Sequence, residues 1–256
     1  MIIYLQTIMK MKMKPVVAAI SLAALLPTLH SCLDNDNNYY VAYNVPNAVV
    51  TVKPVDDNAF YMQLDDSTTL LPVNMQESPY GDKEVRALVN CYEVENHSTI
   101  YSKSVYVNWI DSILTKPTVP DKGLQNDSVY GNDPVEIVKD WVTIAEDGYL
   151  TLRFRTRWGG NGIAHRVNLL VGVNPENLYE VEFRHDAQGD TNGIWGDGLV
   201  AFRLSDLPDT NGETVKLKLT WNSFSGEKST EFDYCTRKST PSATNLAETK
   251  GDITLQ

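Results

Sequence analysis

The residue with the most specific chemical setting is Cys32. It follows Leu29-His30-Ser31, with leucine three places and a small serine one place before it, and this spacing is that of a bacterial lipobox, where the thiol is diacylated and the chain is cut. Lys10, Lys12 and Lys14 form a cationic start, and Val16–Leu26 an apolar core broken by Pro27. That core is too short for a permanent spanning helix, which needs about 20 residues. The sequence therefore predicts a lipoprotein signal peptide over 1–31, with Met9, Met11 or Met13 as alternative starts to Met1. It also predicts acyl chains (palmitate-type) on Cys32, each buried CH₂ contributing about 0.8 kcal/mol to membrane attachment. Leu33-Asp34-Asn35-Asp36-Asn37-Asn38 is short, polar and acidic, which fits a flexible tether over 32–46. Acidic residues after a lipidated cysteine resemble a surface-export tag, so the expected location is the outer membrane, facing the cell surface.

A second group is His165, His185, Asp186, Asp190, Asn192 and Asp197. Two histidines with carboxylates are Zn²⁺ chemistry, yet no His-x-His or His-x₃-His spacing occurs, and satisfied histidines at the edge of a core are the plainer reading. Asp186, Asp190 and Asn192 put oxygen ligands at near-alternate positions in the glycine-rich loop Ala187–Gly198, a weak Ca²⁺ candidate without the bidentate glutamate of an EF-hand. Turn-forming side-chain hydrogen bonds explain the same residues. Trp195 in that loop and Trp158 at the mouth of Gly159-Gly160-Asn161-Gly162 are candidate ligand contacts, because aromatic side chains on loops stack on sugars or anchor proteins. Trp109, Trp141 and Trp221 lie in strand-like runs and are expected in the core. Arg153, Arg155 and Arg157 form a basic stripe, expected to pair across strands with Glu180 and Glu182. No G-x-S-x-G elbow and no phosphate-cradling glycine motif is present, no paired carboxylates stand out, and no catalytic residue is assigned.

The elements that must position these residues are strands. Ala48–Val55, Ala59–Leu64, Thr68–Val73, Glu84–Val94 and Ser104–Trp109 are β-prone and separated by turn chemistry, with Tyr39–Val45 a possible lead-in strand. Glu84–Val94 is apolar on both faces, as a central strand of a curled sheet would be. Five short strands over 47–116 fit a small OB-like barrel. Asp111–Lys116 reads as one helical turn stopped by Pro117 and Pro120, and 117–134 as a linker. Seven strands then recur over 135–236: Val135–Ile144, Tyr149–Trp158, Ala164–Val173, Leu178–Asp186, Gly198–Ser205, Thr214–Trp221 and Ser229–Cys235. Most have one apolar face, which predicts an antiparallel β-sandwich. Residues 237–256 read as a loose C-terminal tail. The fold class is therefore all-β.

The 256-residue chain has 22 basic and 33 acidic residues, a net charge of −11, and loses three lysines with the signal. Such an acidic surface repels phosphate backbones and disfavours nucleic acid as a partner. Cys91 and Cys235 have no metal-like spacing and are expected as separate thiols.

The order of lipobox, small barrel, Ser112-Ile113-Leu114-Thr115-Lys116 junction and seven-strand sandwich resembles the NigD-like lipoproteins. Within the sandwich the resemblance rests on Tyr149-Leu150-Thr151-Leu152, His165-Arg166-Val167-Asn168-Leu169-Leu170, Phe183-Arg184-His185-Asp186 with Gly189-Asp190, and Val200-Ala201-Phe202-Arg203-Leu204. It implies an N-terminal OB domain, a C-terminal β-sandwich and a bacteriocin-immunity role, and it carries over no catalytic residues; no cofactor is expected. The expected function is a non-enzymatic, lipid-anchored binding protein of the cell envelope, its partners being the membrane, through the lipid, and a protein ligand. A surface glycan-binding lipoprotein is the alternative, and a hydrolase the third.

Overall fold

The computed structural model describes residues 44–55 and 59–237. The signal, Cys32, the tether up to residue 43 and the tail from 238 lie outside the described residues. Five strands close the first barrel: β1 (Ala48–Pro54), β2 (Phe60–Gln63), β3 (Thr69–Pro72), β4 (Val85–Val94) and β5 (Lys103–Ser112), in the order β1-β2-β3-β5-β4. Val50, Val52, Phe60, Met62, Leu70, Val89 and Val105 are buried there. Full burial of such a side chain contributes about 1.5–3 kcal/mol. A register shift between Asn90 and Cys91 bends β4, letting it pair with β1 on one side and β5 on the other. Buried Cys91, its thiol pushed up to about 11 by desolvation, and half-buried Cys235 are free thiols.

Two five-stranded sheets follow. One has the order β6 (Leu114–Pro117), β13 (Ile194–Arg203), β10 (Tyr149–Trp158) and β8 (Glu136–Ile137), with β9 (Ile144–Glu146) also on β10. The other runs β15 (Gly226–Tyr234), β14 (Val215–Ser223), β12 (Glu180–Asp186), β11 (Arg166–Val171) and β7 (Val119–Pro120). Their inner faces meet in one core containing Leu150, Leu152, Phe154, Leu169, Phe183, Phe202, Leu217, Leu219 and Trp221. The alternation of apolar side chains along β10, β12 and β14 builds this core, while Tyr149 and Thr151 are buried on the other face of β10.

Several expectations are corrected here. Leu114–Lys116 is not helical: β6 runs parallel to β13, Val200 opposite Leu114. The stretch read as a linker adds β7, parallel to β11, and a short helix α1 (Asn126–Tyr130). Pro117 and Pro120 end short edge strands, where a missing N–H costs no ladder bond. Val135–Ile144 is two short strands, β8 and β9, separated by a turn that leaves Trp141 exposed, so Trp141 is not a core residue. Trp221 is buried and Trp109 half-buried. Ile194–Gly198, read as loop, is the first half of β13. Arg237, read as the start of the loose tail, is held by Glu84 at 2.7 Å.

The barrel joins the sandwich through a buried polar cluster at the Tyr149 end of β10. Arg86 of β4 is fully buried; its Nη1 donates to Thr51 of β1 at 3.1 Å and its Nε to Thr151 of β10 at 3.2 Å. Glu146 lies 3.6 Å from Nη2, an ion-pair distance rather than a hydrogen bond. Lys53 of β1 pairs with Asp147 at 2.7 Å, both buried. Tyr149 donates to Glu84, which Arg237 also holds. Beside this cluster Val49, Ile113, Val142, Tyr149 and Ala201 pack together, with Leu88 and Leu199 against them.

Candidate functional site

At the opposite end of β10 the core gives way to a second polar cluster. Val167 lies opposite His185 in the β11–β12 ladder, so His165, just before β11, comes beside it. His165 Nδ1 is 2.9 Å from His185 Nε2, and His165 Nε2 is 3.2 Å from Asp190 Oδ2. His185 Nδ1 is 3.3 Å from the Asp133 carbonyl. Asp190 also accepts from the Gly159 N–H at 2.9 Å. Trp158, the last residue of β10, stacks on His165 with centroids 4.0 Å apart and planes at 21°.

Partner chemistry assigns the hydrogens along this chain. A carbonyl only accepts, so His185 Nδ1 carries a proton and its Nε2 is free to accept from His165 Nδ1–H. His165 Nε2 then faces the Asp190 carboxylate. Burial, followed by the neighbouring His165, pushes His185 down to about 4, in keeping with a neutral ring. The Gly159 N–H leads the interactions that hold Asp190 below its ordinary range. The cluster thus sets the His165 ring between an indole face, a carboxylate and the neutral His185 imidazole. Its side chains are almost wholly enclosed, His165 being 1% exposed.

Glycines make the fit possible. A Cβ on Gly196 would sit 2.3 Å from Trp158 Cδ1, and one on Gly159 would sit 2.0 Å from Asp190 Oδ1. The positions Gly159 and Gly196 are therefore set by the indole and the carboxylate.

The outer face of the same strands is exposed. Trp195 lies opposite Arg157 in the ladder. The Arg157 guanidinium sits 4.1 Å over the Trp195 ring and donates to the Gly193 carbonyl at 3.0 Å. Phe224, from the β14–β15 turn, meets Trp195 edge-on at 4.9 Å. Ile194 is 78% exposed, Trp195 46% and Phe224 45%. Along this face Arg153 pairs with Asp140 and Asp197, and Arg155 with Asp197.

Thus Trp158, His165, His185 and Asp190 come together, whereas Trp195 is on the other side of the sheet and Trp158 is half-buried rather than open to a ligand. Asp186 accepts from the Gln188 N–H, and Asn192 is exposed. Asp186 and Asp190 therefore serve different partners, and among the described residues no three His, Cys, Asp or Glu side chains form a group suited to a metal ion. The arginine stripe does not pair with Glu180 and Glu182, because those belong to the opposite sheet, where they meet Lys218 and Arg184. Sequence reasoning missed Phe224 and Arg86. The signal for Arg86 was present, since an arginine stands in a strand apolar on both faces. Phe224 had none beyond its hairpin turn.

Residues 49–113 match the family model of the NigD-like N-terminal OB domain, and residues 117–234 that of the NigD-like C-terminal beta sandwich domain. No curated protein matches. Among solved structures, a candidate toxin-related protein from Parabacteroides distasonis is 36% identical, with 81% of this chain and 98% of that chain covered at a TM-score of 0.61. A NigD-like immunity protein from Bacteroides caccae is 20% identical, over 73% of this chain and 96% of that one, at 0.53. A candidate lipoprotein from Bacteroides fragilis is 16% identical, over 75% and 98%, at 0.51. The last two likenesses concern the fold alone.

Proposed function

Because the chain belongs to the NigD-like family, we propose that it is a lipid-anchored, non-enzymatic protein of the cell envelope that binds another protein, with immunity toward an antibacterial toxin as its role. The observation that carries the reading is the exposed group of Trp195 and Arg157 on the β10–β13 pair with Phe224 from the β14–β15 turn. Aromatic and arginine side chains of this kind dominate protein interfaces. The names of the similar proteins, one an immunity protein and one toxin-related, agree with it. The His165–Asp190 pair supports a non-enzymatic reading. It has two parts of a nucleophile-activating triad, but its third position holds the ring of His185 rather than a hydroxyl or thiol. The anchor is Cys32, at the outer membrane and facing outward, in keeping with one relative called a candidate lipoprotein.

The test is deletion of the gene in its own host, followed by challenge with antibacterial proteins secreted by neighbouring strains. The expected result is new sensitivity to one of them, restored to resistance by the intact gene and not by Trp195→Ala or Cys32→Ala. Unchanged sensitivity across the panel would remove the immunity role. A second reading, surface glycan binding, draws on Tyr92 and Tyr106, stacked at 5.3 Å and exposed on the barrel. Aromatic faces of this kind accept sugar rings. Binding on a glycan array that is lost in Tyr92→Ala would favour it.

A further inference from the structure

Strand β13 is ten residues long, and its two edges are unequally covered. On one side β10 pairs with all of it, from Ile194 to Arg203. On the other, β6 covers only Val200–Arg203. Among the described residues no strand pairs with the outer edge of Ile194–Leu199. The Leu204 N–H donates to Gly148 at 2.8 Å, which sets the alternation of the ladder. Even-numbered residues of β13 direct their backbone groups to β10. Trp195 and Asp197 direct theirs to the open edge. Native folds usually blunt such an edge, since unpaired N–H and C=O groups are a template for another strand. Here the edge carries no proline, and exposed Ile194 and Trp195 lie at its start.

We infer that the Ile194–Leu199 edge of β13 captures an extended segment of a partner protein by strand addition, with an acidic side chain of that segment placed beside Trp195. This rests on the protein-binding reading above and specifies its mode. The unpaired backbone groups select an extended polypeptide, because only a strand presents donors and acceptors at the matching spacing. The charge preference follows from Arg157. Asp140 and Asp197 together neutralise Arg153 and Arg155, while Arg157 lies over Trp195 with no carboxylate partner among the described residues. A carboxylate on a residue added next to Trp195 gives it one.

The test uses the mature full chain and a capped nonapeptide of alternating threonine and valine around one central glutamate. Two further probes are the same peptide with a central lysine and the glutamate peptide N-methylated at alternate amides. Binding is read by tryptophan fluorescence and by residue-resolved amide exchange. In the free protein the Trp195 and Asp197 amides exchange fast while that of Gly196 is protected. The glutamate peptide slows exchange at Trp195 and Asp197 and binds about tenfold more tightly than the lysine peptide. The N-methylated peptide, with the same side chains, does not bind. Arg157→Gln, with its fold confirmed by thermal melting, still binds but no longer prefers glutamate. The inference is overturned if Trp195 and Asp197 are already protected in the free chain, as a second copy or another segment of this chain would cause. It is equally overturned if the N-methylated peptide binds as well as its parent, or if neither unmethylated peptide protects these amides. Peptide pairing without any toxin sensitivity in the deletion strain would remove the immunity role and leave the strand-capturing edge standing.

Discussion

At one end of the β10–β13 pair, Arg86, Lys53, Glu146 and Asp147 join barrel to sandwich; at the other, His165, His185 and Asp190 lie beneath the loops. About 30 Å of strand separates them, at about 3.3 Å per residue. Both are buried and polar, yet they do different work. The junction cluster crosses between two cores, so each of its bonds ties elements from different parts of the chain. The loop-end cluster is closed on itself and holds the strand ends that display Trp195. Removing a group from the first should loosen the whole molecule, and removing one from the second should disturb a local surface.

The largest expected effect is at the junction. Arg86→Met removes the charge that faces Glu146 and leaves Thr51 and Thr151 without their donor. Breaking a buried ion pair by removing one partner costs about 3–5 kcal/mol. Urea unfolding should show that loss, and a change below about 1 kcal/mol would mean that the junction behaves like a surface contact.

The pH dependence comes next, with opposite signs at the two ends. Burial pushes Glu146 up to about 7, so its contribution is fully present below its ordinary value near 4.5 and is lost as pH rises through 7. His185 is pushed down to about 4, so its contribution is full above 6.5 and is lost as pH falls through 4. Each shift corresponds to about 3 kcal/mol, and over pH 4.5–6.5 they oppose one another. Glu146→Gln should therefore make stability rise with pH across that window, and His185→Gln should make it fall. Parallel curves for the two variants would show that the ends do not differ in this way.

A smaller effect is expected from Gly196→Ala, whose methyl would meet Trp158. Overpacking of this kind costs about 1–3 kcal/mol. It should also shift the tryptophan emission while leaving the junction's amide protection unchanged. Smallest is Trp195→Ala. It removes an exposed ring and its contact with Arg157, about 0.5–1 kcal/mol by the usual cation–π scale. Thermal melting should barely move while partner binding is lost; a large fall in stability would make Trp195 a structural residue instead.

Much of this architecture was legible in the chain. The alternation of Leu150, Leu152 and Phe154 against Arg153, Arg155 and Arg157 set both the strand and its buried face, because the side-chain period of a strand is two. The two-faced apolar pattern of Glu84–Val94 likewise announced a barrel strand. His165, His185 and Asp190 were singled out as a group from residue type alone, and the fold brings them within hydrogen-bond distance. The same type-based reading grouped Trp195 with Trp158, yet the strand puts them on opposite faces. It assigned Ile194–Gly198 to a loop because glycines usually break strands, whereas here Gly196 and Gly198 make room for Trp158 and Phe154.

By itself the sequence determined the all-β class, the barrel followed by a sandwich and the inward face of β10, β12 and β14, since these depend on local periodicity and turn chemistry. Its residues 1–31 and Cys32 also carry the expectation of a lipid anchor, which depends only on linear order. What the tertiary structure alone decided is which distant residues share an environment. Arg86 meets Thr151, Arg153 meets Asp197 rather than Glu180, His165 comes between His185 and Asp190, and β6 stops short of Ile194. Those outcomes follow from strand order and register, which are settled by packing between segments far apart in the chain and leave no periodic trace along it.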